Sequence, residues 1–416
     1  MTVNPHLGDA GWLRHGEVAR LMAALDRDGE EARVVGGAVR NALLHLAVDE
    51  VDLATTAVPA DVVRRVTAAG WKAIPTGIDH GTVTVVIDGK PFEVTTLRQD
   101  VETDGRHAKV AFGRDWRMDA QRRDFTINAL SAAPDGTVYD YVGGIADIAT
   151  RRVRFIGEAK ERIAEDYLRI LRFFRFHAWY GEGLPDAAGL HACILARAGL
   201  DTLSRERVRM EALKLLLARR ATPTLAVMGE SGILGAVLGG VPWLASFENL
   251  VKAETAMNIA PDAVRRLGAL AVRVREDGER LAQRLRLANA EGERLVALEQ
   301  WWRVTPAAGD QAARALLYRL GPQAFTDRIL IAWSRAPAGT ADPAWHALAD
   351  LPNKWTAPEF PLKSADFIKR GIVPGPALGR AIRSAEAAWI AADFPAQQAV
   401  LEVIADKAAG EAAAAG

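Results

Sequence analysis

The stretch VVGGAVRNALL, residues 34–44, places two glycines between a β-branched run and a run typical of a helix. This order predicts a strand, a glycine turn and a helix. Glycine lets backbone N–H groups approach an anion closely, and a nearby arginine can bind phosphate. Gly36, Gly37 and Arg40 are therefore candidate phosphate-binding residues, although a glycine turn alone is also typical of simple chain reversal.

Two carboxylates, Glu50 and Asp52, follow this predicted helix. If their segment is a strand, both side chains emerge on one face. Two such oxygen ligands, together with triphosphate oxygens, suit Mg²⁺, and a second ion can activate an attacking hydroxyl. A solvated acidic turn is the alternative, because Asp49 is acidic too. The position after the glycine turn favours the metal site, to which Glu93 is a candidate third carboxylate.

A β-hairpin is predicted around Glu93. The segment TVTVVIDGKPFEVTTL, residues 82–97, joins two β-rich runs through the turn formers at 88–91. From about residue 151 onward, apolar residues recur at spacings of three and four among many Arg, Ala, Leu and Glu residues, which indicates helices. The sequence therefore predicts an α+β protein with a small mixed sheet near its start and an all-α remainder.

A carboxylate and a guanidinium recur on one predicted helical face in EDYLRILR, residues 165–172. Asp166 and Arg169 are three residues apart, and Arg172 continues the same stripe. Cytosine and adenine both present an amino donor beside a ring-nitrogen acceptor, so one Asp and one Arg can accept these bases and reject G and U. The alternative is an ordinary intrahelical salt bridge.

Composition limits the possible partners and compartments. Fifty-two Lys and Arg residues balance fifty-two Asp and Glu residues, so an RNA contact must come from local patches. Cys193 is the only cysteine, which excludes an internal disulfide and suits a reducing cytosol. The N-terminus lacks signal-peptide features, and the apolar segment 233–247 is too short to span a bilayer. We expect a cytoplasmic protein with no membrane segment, and nothing implies a protein partner.

Six ordered blocks between residues 34 and 176 resemble class II CCA-adding tRNA nucleotidyltransferases and the related bacterial poly(A) polymerases. The blocks are GGAVRNALL, DEVDLATT, HGTVTVVIDGKPFEVTTLRQDVETDGRH, RRDFTINAL, YVGGIADIATRRVRFIG and ERIAEDYLRILRFFRF. The resemblance implies a DNA polymerase beta-like nucleotidyltransferase head at residues 1–150. It further implies a helical neck with the base-reading site at 151–240, a helical body at 241–335 and a tRNA-binding helical tail at 336–416.

The resemblance also implies roles for individual residues. Glu50, Asp52 and Glu93 are the expected catalytic carboxylates, with Glu50 and Asp52 holding Mg²⁺. Residues 98–107 resemble the flexible loop associated with the switch to A addition, with Arg98, Asp104 and Arg106 as its expected functional residues. The expected nucleotide-binding set, in which Asp166 and Arg169 read the base, is Gly36, Gly37, Arg40, Arg122, Arg123, Asp124, Asn128, Asp166, Arg169 and Arg172.

The implied activity is the addition of C, C and A to the 3′ acceptor end of tRNA from CTP and ATP, with release of pyrophosphate. Poly(A) polymerase activity on general RNA 3′ ends is one alternative. A catalytically idle RNA-binding relative is another, because Glu50 stands where the family usually has Asp. The added methylene moves the carboxylate oxygens by about an ångström, which bears on rate and metal preference.

Overall fold

A computed structural model describes residues 5–78, 81–104 and 107–414 of the protein. The chain divides into two compact units, Met1–Gly239 and Gly240–Gly416. The division falls inside the glycine-rich stretch 235–242. Within the described residues, all named strands lie in the first unit.

The first unit contains a seven-stranded mixed sheet and a separate two-stranded sheet. The strands are β1 Ala32–Val35, β2 Asp52–Thr55, β3 Lys72–Gly77, β4 Thr82–Ile87, β5 Lys90–Thr96, β6 Arg98–Asp104, β7 His107–Phe112, β8 Ser131–Ala132 and β9 Val138–Tyr139. The large sheet has the order β3-β4-β5-β2-β1-β8-β9, and β6 pairs with β7. Only β2 and β5 run parallel among these described pairs. The predicted small mixed sheet is confirmed.

The predicted hairpin is confirmed as β4 and β5. Its turn consists of Asp88 and Gly89, since Ile87 pairs directly with Lys90. Both turn residues have positive φ, at 50° and 81°, which is the conformation that two-residue hairpins favour because its twist matches that of the strands. The hairpin carries Glu93 to the edge of β2.

The first unit contains twelve α-helices in its described residues, and those after residue 151 follow the last strand of the sheet. In the first unit they are α1 Gly11–Arg14, α2 Gly16–Leu25, α3 Gly37–Leu43, α4 Pro59–Ala68, α5 Trp116–Gln121, α6 Gly144–Ala149, α7 Ala159–Glu165, α8 Leu168–Tyr180, α9 Ala187–Leu195, α10 Arg205–Leu216, α11 Ala221–Glu230 and α12 Ile233–Leu238. Helices α8 and α10 pack against each other. Phe173 of α8 stacks on Phe155 and contacts Phe125 at a tilt, which fixes the helix to the preceding part of the unit.

The second unit is helical throughout its described residues. Its helices are α13 Leu244–Ala256, α14 Ala263–Ala271, α15 Arg275–Arg284, α16 Asn289–Ala297, α17 Asp310–Arg335, α18 Pro343–Ala349, α19 Leu351–Lys354, α20 Ser364–Ile368, α21 Pro376–Ala391 and α22 Gln398–Ala414. Helix α17 is kinked at Gly321, where φ is 73°, immediately before Pro322. The predicted all-α remainder is confirmed, and no described helix is long and apolar enough to cross a membrane.

A buried network of charges holds the middle of the second unit. Arg265 bridges Glu254 at 2.8 Å and Asp327 at 3.2 Å, and all three side chains are at most 3 % exposed. Arg266 also pairs with Glu254, and Arg294 with Asp327. Each buried charge therefore has an opposite charge in contact, which is the condition under which burial is tolerated.

The C-terminal segment is more ordered than its composition predicts. The Ala- and Gly-rich tail after Ala408 is typical of a frayed end, but α22 continues to Ala414. Ala405, Ala408 and Ala412 are buried in a core shared with α20 and α21. Small side chains let helix backbones approach closely, so the same composition that indicates fraying here produces a packed interface.

Candidate functional site

A cleft of about 620 Å³ in the first unit brings most of the predicted site residues together. Its walls are formed by Gly36, Gly37, Arg40, Glu50, Asp52, Arg123, Asp124, Asn128, Asp166, Leu168, Arg169, Arg172, Arg175, Phe176 and Arg207. A larger cavity of about 1000 Å³ in the same unit is lined by residues such as Arg152, Lys160 and His191. The smaller cleft is the better candidate, because there a glycine turn, carboxylates and several guanidiniums converge.

The sheet register explains why the glycine turn and the first carboxylate meet. β1 and β2 pair Val35 with Asp52, so the turn that follows Val35 lies at the same sheet edge as Asp52. Gly36 has a φ of 67° and a Cβ there would lie 3.4 Å from the Arg123 guanidinium. Glycine is favoured at this position because an L side chain would be strained in that conformation.

Arg40 is a buried cation fixed from two sides. Its guanidinium donates to the Asn128 side-chain oxygen at 2.5 Å and to the Tyr180 hydroxyl at 2.8 Å. It also lies 3.9 Å from the centre of the Tyr180 ring. Burial lowers the pKa of Arg40, with further lowering from Arg175 and opposition from Asp124. No carboxylate forms a salt bridge with it among the described residues, so an anion in the cleft would supply the missing charge.

The two predicted metal ligands lie in the same cleft, at the sheet edge beside the glycine turn. Asp52 is the first residue of β2, whereas Glu50 lies in the loop before it, so the prediction that both sit on one strand face is wrong. The parallel pairing of Leu53 with Val94 brings Glu93 beside Asp52. The pKa of Asp52 is raised, first by its desolvated surroundings and then by Glu93 and Glu50.

This carboxylate group fits a cation that also binds the substrate. Burial first, and then the neighbouring carboxylates Glu93 and Glu50, raise the pKa of Asp52, and a divalent ion bound beside it would favour the ionised form. Yet among the described residues no three His, Cys, Asp or Glu side chains converge to hold a metal by themselves. Hard cations such as Mg²⁺ commonly take one or two carboxylates and complete their shell with water and phosphate oxygens, so Glu50 and Asp52 suffice as protein ligands.

The segment after α5 divides into residues that face the cleft and one that does not. Arg122 and Arg123 both pair with the buried Asp119, at 2.7 Å and 3.1 Å. Burial would raise the pKa of Asp119, but these two arginines outweigh it and hold the pKa below its usual value. Arg123 lines the cleft, whereas Arg122 is turned to Asp119 and is not part of the wall.

Asp124 is fully engaged with protein groups. One oxygen accepts from Arg172 at 2.5 Å, and the other accepts from the Asn128 amide at 3.1 Å and the Phe125 N–H at 2.8 Å. Burial opposes ionisation, but Arg172 and these hydrogen bonds lower the pKa of Asp124 below its usual range. Asn128 therefore links Asp124 to Arg40, and the three side chains form one connected network.

The predicted base-reading pair lies at a break between two helices. Asp166 is extended, with φ −158° and ψ 107°, between the end of α7 and the start of α8, so the prediction that it shares a helical face with Arg169 is wrong. Its carboxylate accepts from the Leu168 N–H at 3.1 Å and pairs with Arg207 at 2.6 Å. Arg169 pairs with Glu165 instead. Both residues nevertheless line the same cleft.

Sequence reasoning missed the contribution of α10. Arg207 holds Asp166, and Glu211 pairs with Arg175 at 2.5 Å and lies 3.7 Å from Arg172. Arg207 and Glu211 are four residues apart, so one face of α10 supplies both partners. That spacing within residues 204–216 was the available signal, but nothing local indicates which distant residues the face contacts.

The predicted flexible-loop residues are only partly described. Arg98 and Asp104 are the first and last residues of β6, which pairs antiparallel with β7. Arg98 lies opposite Phe112, and Asp104 lies opposite His107. Arg106 lies outside the described residues. The segment that resembles a loop is therefore a two-stranded hairpin over the residues that are described.

A mixed sheet with carboxylates at its edge, a glycine turn beside them and a wall of guanidiniums define a nucleotidyltransferase of the polymerase beta type. Residues 32–154 match the family described as Poly A polymerase head domain, and residues 191–247 match the Probable RNA and SrmB- binding site of polymerase A. The chain is similar to CCA tRNA nucleotidyltransferase 1, mitochondrial, from Mus musculus. The two are 34 % identical over 87 % of this chain and 83 % of that protein.

A bacterial relative and a solved structure agree with this match. The CCA-adding enzyme of Limosilactobacillus fermentum is 32 % identical over 87 % of this chain and 89 % of that protein. The crystal structure of the Bacillus stearothermophilus CCA-adding enzyme in complex with CTP covers 94 % of this chain and 96 % of that one, with a TM-score of 0.73 and 26 % identity. The chain belongs to the family of CCA-adding tRNA nucleotidyltransferases, whose members generally use divalent metals.

Proposed function

We propose that this protein adds C, C and A in turn to the 3′ end of tRNA, taking the nucleotides from CTP and ATP. The terminal RNA hydroxyl attacks the α-phosphorus, the bond from that phosphorus to the bridging oxygen breaks, and pyrophosphate leaves. The observation that carries this proposal is the convergence of Gly36, Asp52 and Arg169 in one cleft. A curated relative named for this activity supports it.

The triphosphate is assigned to the glycine-turn side of the cleft. Arg40 and Arg123 are cations at that wall, and Gly36 leaves the backbone open to close approach. Asn128 and Asp124 hold Arg40 and Arg172 in place, so they act through these arginines. Arg122 has the weakest case among the predicted nucleotide-binding residues, because it pairs with Asp119 and, unlike Arg123, is not part of the cleft wall.

Asp166 and Arg169 are assigned to read the base. An ionised carboxylate has about four lone-pair positions, so Asp166 can accept from the amino group of C or A while it still pairs with Arg207. A guanidinium has five N–H donors, so Arg169 can donate to the ring nitrogen while it holds Glu165. G and U would place a carbonyl oxygen against the Asp166 carboxylate, and the two acceptor oxygens would repel each other.

Glu50 and Asp52 are assigned to hold Mg²⁺, with Glu93 as a neighbour that adds negative charge. When bound, this ion would polarise the α-phosphate and lower the pKa of the attacking hydroxyl. The residues themselves orient the ion at the sheet edge beside the glycine turn. Glu50 lies in the loop before β2, where its longer side chain is less constrained than it would be in a strand.

The helical segments beyond residue 151 are proposed as neck, body and tail with the bounds 151–240, 241–335 and 336–416. The neck carries the base-reading pair, and the body and tail grip tRNA by shape and phosphate contacts. A cytosolic location is proposed from the single, buried cysteine. Because one relative is named mitochondrial, organelle fractionation of the producing cell is the measurement that checks it.

The decisive experiment supplies the purified chain with labelled CTP and ATP, together and singly, and with Mg²⁺. The RNA substrates are tRNA transcripts that lack CCA or only the final A, and an unrelated RNA. Growth that stops after CCA on tRNA supports the proposal, whereas long A tracts on any RNA would make the protein a poly(A) polymerase.

Variants in the same assay separate an active enzyme from an idle relative. Asp52→Asn should lower incorporation at least about a hundredfold because it removes one of two protein carboxylates from the metal. Arg64→Gln is the matched control, since Arg64 is exposed on α4 and pairs only with Asp61 among its described contacts. A wild type that incorporates nothing, with activity restored by Glu50→Asp, would favour the idle alternative.

A further inference from the structure

A cluster of indoles and guanidiniums lies on the second unit, formed by Trp243, Arg273, Trp301 and Arg335, which we call the Trp–Arg patch. The Arg273 guanidinium lies 4.4 Å from the centre of the Trp243 ring and 5.5 Å from that of Trp301. The Arg335 guanidinium lies 4.7 Å from the Trp301 ring on which both arginines converge. The Trp301 indole N–H also donates to the Arg273 carbonyl at 3.3 Å, which fixes the ring.

Both cations lack a salt bridge within the described part of the chain. Arg335 donates to two backbone carbonyls and to the Ser246 hydroxyl, and the buried Arg273 Nε has no hydrogen-bond partner among those residues. Burial, with the adjacent Arg273, lowers the pKa of Arg335 to about 9, and burial lowers that of Arg273. The Asp277 carboxylate acts on the charge of Arg335, but it forms its ion pair with Arg280. The patch therefore carries excess positive charge that an anion would stabilise.

Apolar surface is exposed beside these charges. Trp243 is 41 % exposed and Val274, next to Arg273 in the chain, is 52 % exposed. Trp302, which follows Trp301, is 62 % exposed, with the Arg303 guanidinium 4.8 Å from its ring centre. Exposed tryptophan side chains are unfavourable in water. Surfaces on which cations alternate with exposed aromatic rings are typical binding sites for unpaired nucleotides, whose phosphates contact the cations and whose bases stack on the rings.

We propose that the Trp–Arg patch binds a single-stranded or loop nucleotide of the RNA substrate. The Arg273 guanidinium contacts phosphate, the buried Arg335 guanidinium adds positive charge behind it, and the exposed Trp243 and Trp302 rings stack on a base or ribose. Because the whole chain has no net charge, RNA binding depends on such local surfaces. The inference rests on the proposed function, since it takes that RNA to be tRNA.

The test measures the direct binding of fluorescent tRNA lacking CCA to the full chain by anisotropy, over a range of salt concentrations. Arg273→Gln and Trp243→Ala should each weaken binding about tenfold, since one stacked base or phosphate contact is worth this much. Arg273→Gln should also reduce the slope of log K against log salt by about one. The KM for CTP in incorporation should stay unchanged, because the reaction cleft is untouched.

Arg64→Gln is the matched control, because it removes the same charge from an exposed, salt-bridged site in the first unit. If Trp243→Ala lowers folding stability, Trp302→Ala replaces it, since that ring is more exposed. Unchanged tRNA affinity in the folded Arg273 and Trp variants overturns the proposal and leaves the surface to a protein partner. Binding needs no catalysis, so a wild type that binds tRNA through this patch but incorporates nothing would contradict only the proposed function.

Discussion

Arg207 holds the carboxylate that we assign to base reading, so its loss should change selectivity before it changes anything else. In Arg207→Gln, Asp166 keeps only its contact with the Leu168 N–H and gains rotational freedom. A hydrogen bond to a charged group contributes about 1.5–3 kcal/mol. We expect kcat/KM for CTP to fall by roughly tenfold to a hundredfold and the preference for CTP over UTP to narrow, measured by competition between the two nucleotides.

Arg205→Gln on the same helix is the control for this prediction. Arg205 lies 3.9 Å from Asp201 and is not part of the cleft wall. Activity lost equally for CTP and UTP in the Arg207 variant, with no change in their ratio, would contradict a positioning role and indicate a structural one.

At this scale, sequence predicted which residues reach the cleft better than how they are paired. Arg40, Asp124 and Asp166 all line it, as the motif positions predict. The partner of Asp166 could not be predicted, because Arg207 is 41 residues away and reaches it only through the packing of α10 on α8. The sequence could not predict that Arg123 and not Arg122 lines this cleft, because the two have the same chemistry and only three-dimensional packing decides which faces it.

Helix α8 carries a buried histidine that should make the protein sensitive to mild acid. Burial, reinforced by Arg220, lowers the pKa of His177 from 6.5 to about 4. Below pH 6.5 the unfolded chain takes up a proton that the folded chain does not, so stability is complete above pH 6.5 and falls as the pH drops towards 4. At 1.36 kcal/mol per pH unit, this residue should cost about 2 kcal/mol between pH 7 and pH 5.

The measurement is urea unfolding at pH 7 and pH 5 for wild type and His177→Gln. The variant should lose about 2 kcal/mol less over this interval, whatever its stability at pH 7. His191→Gln, at an exposed position on the neighbouring α9, should behave like wild type. Equal pH dependence in all three proteins would show that His177 is not the source.

Some boundaries of helices and strands can be predicted from the local sequence pattern, and others depend on distant contacts. The hairpin of β4 and β5 was predictable because Asp88 and Gly89 are turn residues with a local preference for positive φ. The break between α7 and α8 was not, since helical spacing continues through residues 165–172 and Asp166 leaves the helix to meet Arg207. Likewise, the alanine-rich end of α22 is a packed helix because it contacts α20 and α21, which its local sequence does not indicate.

The chain divides into two compact units, and the residues of the proposed nucleotide site all lie in the first. A ligand stabilises the unit that binds it by RT ln(1 + [L]/Kd), about 2.7 kcal/mol at a hundred times Kd. Saturating CTP with Mg²⁺ should therefore slow hydrogen exchange in the peptides that come from Met1–Gly239. It should also raise the temperature at which this unit unfolds. Peptides of the second unit should change much less.

GTP at the same concentration is the control, because the base-reading pair rejects it and the triphosphate alone should protect less. Protection that appears mainly in the second unit would place the nucleotide site elsewhere. A sheet-containing start and a helical remainder were predictable from periodicity. The inclusion of the helices after residue 151 in the same compact unit as the sheet was not, because it depends on long-range packing of α8.

The buried charges of the second unit constrain how this protein can change over generations. Arg265 contacts both Glu254 and Asp327, and each of those acids holds another arginine. Losing one member unbalances the buried charges that remain, at a cost of up to about 3–5 kcal/mol, whereas replacing the set by apolar residues is often neutral. Natural variants should therefore exchange these positions together, and an intermediate generation carrying a single replacement should be selected against.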